Sequence, residues 1–125
     1  RYVDSKPEFY EPVEWRGRSE DKKQGSAGLV SLSSKGGAAS HSYLHALQSY
    51  ATLLDEGVCP EQARMLLPQS MMTSWYWSGS VYAFSRVCNL RLKEDAQAET
   101  REVAQSISNH CAIEFPISWK NLIQG

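Results

Sequence analysis

Between Ser40 and Glu56 the apolar residues Leu44, Leu47, Ala51 and Leu54 recur at steps of three and four, which places them on one face of a helix. Gly57 follows where a left-handed C-cap belongs, so the pattern predicts a helix over 40–56. Pro60 at a first helical position and Pro68 as a terminator bracket a second, short helix, PEQARMLLP. Its apolar side carries Ala63, Leu66 and Leu67, and Arg64 borders that side. MMTSWYW is dense in aromatics and has no helical stripe, which predicts a short strand over 71–77. Ser78, Gly79 and Ser80 interrupt it and can cap a third helix from 80 to 92, where Val81, Phe84, Val87 and Cys88 share a face that Arg91 continues. A buried, unpaired guanidinium is very costly, so Arg91 is expected in the interior or at a cleft with an anion to meet it. Asp95 stands where it can N-cap a fourth helix, whose stripe is Ala96, Thr100, Val103, Ala104, Ile107 and Cys111, with Glu99 and Glu102 in the first two turns. Pro116 opens a last short helix carrying Trp119, Leu122 and Ile123.

Ahead of these helices the pattern is weaker. Residues 1–15 alternate poorly and contain Pro7 and Pro12, which fits an extended segment with Tyr2, Phe9 and Tyr10 as anchors. Residues 16–39 are rich in Gly, Ser and Lys and read as a flexible loop. The paired Gly36 and Gly37 lack the strand and helix context of a phosphate loop. The expected organisation is therefore an extended start, a loop and a helical core over 40–125, with no internal repeat. The sequence opens at Arg1 rather than Met, so the chain is expected to be processed or to be one piece of a longer protein.

Composition narrows the function classes. Hydrophobic residues at 42% and charged residues at 22% suit an ordinary globular chain of 125 residues. Thirteen basic against fourteen acidic side chains leave a net charge of -1, which argues against general nucleic-acid binding. No apolar run approaches the roughly 18 residues of a spanning helix, and no leader pattern opens the chain, so a cytoplasmic protein without membrane contact is expected. Cys59, Cys88 and Cys111 show no CxxC spacing and are expected as reduced, mostly buried thiols. His41 and His45 are four apart, but without a HExxH glutamate or a third ligand they predict no metal site. No GxSxG or related nucleophile signature supports covalent hydrolysis. What remains is arginine: Arg64, Arg86 and Arg91 lie on two short helices around the aromatic segment, and a planar fork of five donors suits a phosphate monoester or a pyrimidine oxygen.

The stretch Gly57–Ala104 resembles the C-terminal core of the flavin-dependent thymidylate synthases. The resemblance rests on E-x-AR-x-x-LP at 61–68, the aromatic segment, a helix ending in Leu90-Arg91, and AQ-x-E at 96–99. Arg1-Tyr2, followed by EFY-x-P at 8–12, resembles the end of the family signature RHR-x-x-S-x-NE-x-S-x-RY. The resemblance implies an α/β (α+β) fold, of which this is the helix-rich C-terminal half with a short aromatic strand. The N-terminal half would be supplied in cis or in trans. It implies a homotetramer with shared active sites that converts dUMP to dTMP by reductive methylation, with FAD as cofactor and NADPH and methylenetetrahydrofolate as co-substrates. By the same resemblance Arg1 and Arg64 bind dUMP, and Arg91 binds dUMP as the catalytic arginine, favouring ionisation at N3 without a covalent nucleophile. Ser80, Val81, Tyr82 and Arg86 match the segment that touches FAD.

Three positions depart from common family residues: Ser80 and Arg86 stand where many members have Asn, and Asp95 where many have His. A serine still donates and accepts a hydrogen bond, and an arginine can reach a flavin phosphate. Two other readings share the scaffold. A pyrimidine-nucleotide hydroxymethylase would need the same dUMP arginines, and a noncatalytic helical interaction module would have lost flavin binding.

Overall fold

The computed structural model describes residues 6–21, 25–32 and 37–124. The elements are β1 (Trp15–Arg18), β2 (Ser26–Val30), α1 (Gly37–Asp55), α2 (Pro60–Ala63) running into a 3-10 turn (Arg64–Leu66), α3 (Val81–Arg91), α4 (Ala98–Glu114) and α5 (Pro116–Leu122). This is a helix-rich α+β fold with five helices and one two-stranded sheet among the described residues. It forms two compact units, one from Arg1–Trp15 with Val30–Trp75 and one from Arg16–Leu29 with Tyr76–Gly125.

In the first unit α1 packs on α2 and the 3-10 turn around Tyr50 and Ala63, both buried. The end of α1 follows from Gly57, at φ +87°. Val58 N donates to Leu53 O at 2.9 Å and Gly57 N to Leu54 O at 3.0 Å, the paired bonds of a Schellman cap. Pro60 occupies the first turn of α2, where its missing N–H leaves no helical bond unmade. The predicted stripe of α1 is only partly buried: Leu47 and Leu54 are half-buried, Leu44 is exposed, and the core position is Tyr50. The start of α1 lies at Gly37, ahead of the predicted Ser40, whose hydroxyl instead donates to Glu11 Oε1 at 3.2 Å.

The expected strand over 71–77 is reduced to one bridge, Phe9 with Met71, held by Tyr10 N to Ser70 O at 2.8 Å and Met72 N to Glu8 O at 2.7 Å. The remaining residues pair with no strand among those described, and Trp75, Tyr76 and Trp77 are all exposed, so high β-propensity finds neither a ladder nor a covering layer. The extended start is anchored as expected through Phe9, whose ring stacks on Tyr43 at 4.9 Å. Tyr2 and the other residues of 1–5 lie outside the described residues.

In the second unit α3, α4 and α5 pack around Ser85, Cys88, Ala104 and Trp119. Trp119 donates its Nε1 proton to Ser108 Oγ at 3.2 Å, and the Cys88 thiol donates to Ala104 O at 3.4 Å. Asn89 ties α3 to the end of α5, donating to Leu122 O at 3.0 Å and accepting from Gln124 N at 2.8 Å. Within 16–39, where composition predicts a flexible loop, β1 and β2 pair. The seven residues joining them are too few for a parallel crossover, so they form an antiparallel hairpin. Side-chain anchoring, invisible to composition, explains the order: Arg16 Nε donates to Ser26 Oγ at 2.8 Å across the two strands. Of the cysteines Cys88 is buried and Cys111 half-buried, but Cys59 is exposed at the N-cap of α2, contrary to a mostly buried set.

Candidate functional site

α3 carries most of the predicted site. Ser80 has extended backbone, φ -73° and ψ 158°, and its Oγ accepts from Ala83 N at 3.1 Å while its carbonyl accepts from Phe84 N at 3.1 Å. The side-chain bond satisfies one of the orphan donors of the first turn and the carbonyl takes the first ordinary helical bond, while the N–H groups of Val81 and Tyr82 have no acceptor within the helix. Val81 is half-buried, whereas Ser80 and Tyr82 are exposed. Arg86 lies four residues beyond Tyr82 on the same face and is also exposed. The beginning of α3 thus presents backbone donors, a hydroxyl, an aromatic ring and a guanidinium to solvent, at the positive end of the helix dipole.

Arg91 is the last residue of α3. Ten residues at 1.5 Å each put it about 15 Å along the axis from Val81. It continues the stripe of Phe84 and Cys88 as predicted, but it is exposed rather than interior, because the helix ends there and the chain turns away. It borders a depression of about 190 Å³ lined by Leu90, Arg91, Lys93, Asp95 and Ala96. Arg91 is therefore exposed beside a depression rather than buried. Neither Arg86 nor Arg91 has an ion-pair partner among the described residues.

Asp95 does not cap α4. The N-cap is Gln97, without a side-chain cap bond, and Asp95 sits in the preceding turn, where Ala96 N donates to Lys93 O at 3.1 Å. Two extra residues of turn shift the helix start to Ala98, leaving Glu99 in the first turn as predicted and Ala96 outside the stripe. Lys93 escaped the sequence reading, although a second cation two residues beyond Arg91 is the signal that could have found it.

Arg64 opens the 3-10 turn of the first unit and is half-buried, with its carbonyl accepting from Leu67 N at 3.1 Å. Ala63 beside it is fully buried and fixes the turn against α1. Arg1, the remaining predicted dUMP residue, lies outside the described residues. Among the described residues no group of three His, Cys, Asp or Glu side chains could hold a metal ion, and no helix is long and apolar enough to cross a membrane. Burial, and to a lesser degree the neighbouring Cys111, pushes the Cys88 thiol above its ordinary range.

A family model described as thymidylate synthase complementing protein matches residues 1–117. A flavin-dependent thymidylate synthase of Thermus thermophilus is 32% identical over 129 aligned residues, covering 100% of this chain and 48% of that protein. The protein of the same name from Thermosipho melanesiensis is 30% identical over 127 residues, covering 99% of this chain and 56% of its own length. A eukaryotic relative of that name, from Dictyostelium discoideum, is 31% identical over 113 residues, covering 86% of this chain and 37% of its own. The chain spans about half the length of the curated relatives it matches. With a match over 117 of its 125 residues, the chain belongs to the thymidylate synthase complementing protein family, that of the flavin-dependent thymidylate synthases.

Proposed function

We propose that this chain provides the C-terminal part of a flavin-dependent thymidylate synthase site, which converts dUMP to dTMP with methylenetetrahydrofolate as carbon donor and NADPH as reductant. The observation that carries the reading is Arg91: an exposed guanidinium at the end of α3, without an ion pair among the described residues, sharing a depression with Lys93.

The residues at the start of α3 fit FAD. The Val81 and Tyr82 N–H groups and the Arg86 guanidinium are the donor set a dinucleotide phosphate needs, and Ser80 holds the turn that presents them. The Tyr82 ring, 57% exposed, is available to a planar partner. A bound FAD would supply two-electron redox chemistry at this end of the helix. The substitutions of Asn by Ser80 and Arg86 keep the donors and add a cation, so they favour phosphate contact over amide hydrogen bonding.

Toward the nucleotide the work is orientation and electrostatics. Arg64, together with Arg1, anchors the dUMP phosphate through charge-assisted hydrogen bonds. Arg91 is permanently charged and stabilises negative charge developing on the pyrimidine ring, which makes C5 a better nucleophile without a covalent bond to the protein. The enzyme acts as a cytoplasmic homotetramer. Support for assembly comes from Tyr76, Ile113 and Ile117 of the second unit, all more than 70% exposed, apolar area that a partner would cover. Three free thiols suit a reducing compartment.

The test is dUMP binding by an Arg64→Ala variant of the full-length protein, with circular dichroism as the check on fold. An affinity loss of about tenfold or more, the worth of one charge-assisted anchor, is expected. Unchanged affinity would remove Arg64 from the site.

A further inference from the structure

The β1–β2 hairpin is tied at three points to the turn ahead of α4 and to the first turn of α4 itself. The Arg16 guanidinium pairs with Glu99 in the first turn of α4. The Ser26 hydroxyl, which accepts from Arg16 Nε, donates to Gln97 Oε1 at 3.1 Å. Gly25, at φ +104°, lies so close that a Cβ there would stand 2.9 Å from the Asp95 carbonyl oxygen. Asp95 belongs to the turn closed by Ala96 N and Lys93 O, and Gln97 and Glu99 follow it directly. That turn forms one wall of the Arg91 depression, through Lys93, Asp95 and Ala96.

None of the three hairpin residues lines the depression itself. The core of the unit, around Cys88, Ala104 and Trp119, is built by α3, α4 and α5 without them. A partly exposed ion pair such as Arg16–Glu99 adds little to global stability. Its geometric effect is larger, because Lys93 and Asp95 place a second cation and a carboxylate beside Arg91, and Coulomb terms change inversely with distance. Displacing the turn alters the field that a nucleotide ring meets.

We propose that the β1–β2 hairpin braces the Arg91 subsite, with Arg16 and Gly25 as positioning residues that hold the Lys93–Ala96 turn in place. The inference rests on the assignment of Arg91 to the nucleotide site. Three variants of the full-length protein test it: Gly25→Ala, Arg16→Gln, and Gly28→Ala as the control. Gly28 has φ +63° in the same hairpin, but a Cβ there meets nothing within 4 Å, so it isolates backbone strain from the contact with Asp95.

Gly25→Ala and Arg16→Gln should raise amide hydrogen exchange at residues 93–97 by about tenfold, as local opening becomes easier. They should also raise the dUMP KM by roughly fivefold or more through misplacement, with flavin content retained. Gly28→Ala should change neither readout. Unchanged exchange at 93–97, or equal effects in Gly28→Ala, would overturn the brace; so would faster exchange with an unaltered KM. If Gly25→Ala fails to fold, Arg16→Gln carries the same comparison, since it removes the half-exposed pair with Glu99 and the bond to Ser26 and leaves the core residues of the unit untouched. Wild-type protein that binds no dUMP would count against the Arg91 assignment, and the exchange result would still decide whether the hairpin holds the turn.

Discussion

Ser80 has two separable tasks, and two substitutions pull them apart. Its Oγ caps α3 by accepting from Ala83 N at 3.1 Å, and in the proposed site it stands next to a flavin phosphate. Ser80→Ala removes the cap, a loss of about 1 kcal/mol, which corresponds to a Tm lower by roughly 2–5 °C in a protein of this size. Ser80→Asp keeps the cap, because Asp caps as well as Ser, and its charge is favourable at a helix N-terminus. Were an FAD phosphate held about 6 Å away, however, the same charge would cost between about 0.7 kcal/mol with the dielectric constant of water and about 3 kcal/mol at an effective value of 20. That range weakens FAD binding by roughly 3- to 150-fold. The assay is thermal unfolding of the apoprotein beside FAD titration, at low and at moderate salt. Screening should shrink the Asp effect and leave the Ala effect on Tm unchanged. Ser80→Asp with wild-type FAD affinity at low salt, or Ser80→Ala losing more FAD than Ser80→Asp, would refute the reasoning.

Other consequences follow from the fold. Gly57→Ala should destabilise by about 1–2 kcal/mol in chemical denaturation purely through its left-handed backbone, since a Cβ there meets nothing within 4 Å. Cys88 gives a pH dependence. Its folded pKa is raised by burial and secondarily by Cys111, so its share of stability is complete below the ordinary thiol range and is lost as pH rises from that range toward the folded value. Denaturation midpoints followed into alkaline solution should therefore fall less steeply in Cys88→Ala than in wild type.

How much of this was legible in the sequence depends on which force fixes each part. Gly57, Pro60, Ser80 and Pro116 set helix boundaries through local backbone chemistry, and all four stand where their chemistry predicts. Asp95 looks like a cap by the same logic, but it lies in the turn closed by Ala96 N and Lys93 O, and the N-cap is Gln97. The order of the hairpin is likewise nonlocal, since Arg16 finds Glu99 across more than eighty residues of chain. Trp75, Tyr76 and Trp77 have strand propensity without a strand partner among the described residues, which propensity alone cannot reveal. Arg64 and Arg91 enter the proposed site through motif resemblance. The turn that brings Lys93 and Asp95 beside Arg91 needed coordinates.

The proposed role of Arg91, stabilising charge on the pyrimidine ring, is tested by dTMP formation with flavin-loaded full-length protein, wild type against Arg91→Ala, at saturating dUMP. Arg91 is exposed at the end of α3, so its removal should leave the fold and the flavin content intact. Loss of a preorganised electrostatic donor predicts a kcat lower by about 10²–10³. Turnover in Arg91→Ala within about twofold of wild type, far below the effect expected of a transition-state contact, would contradict the account.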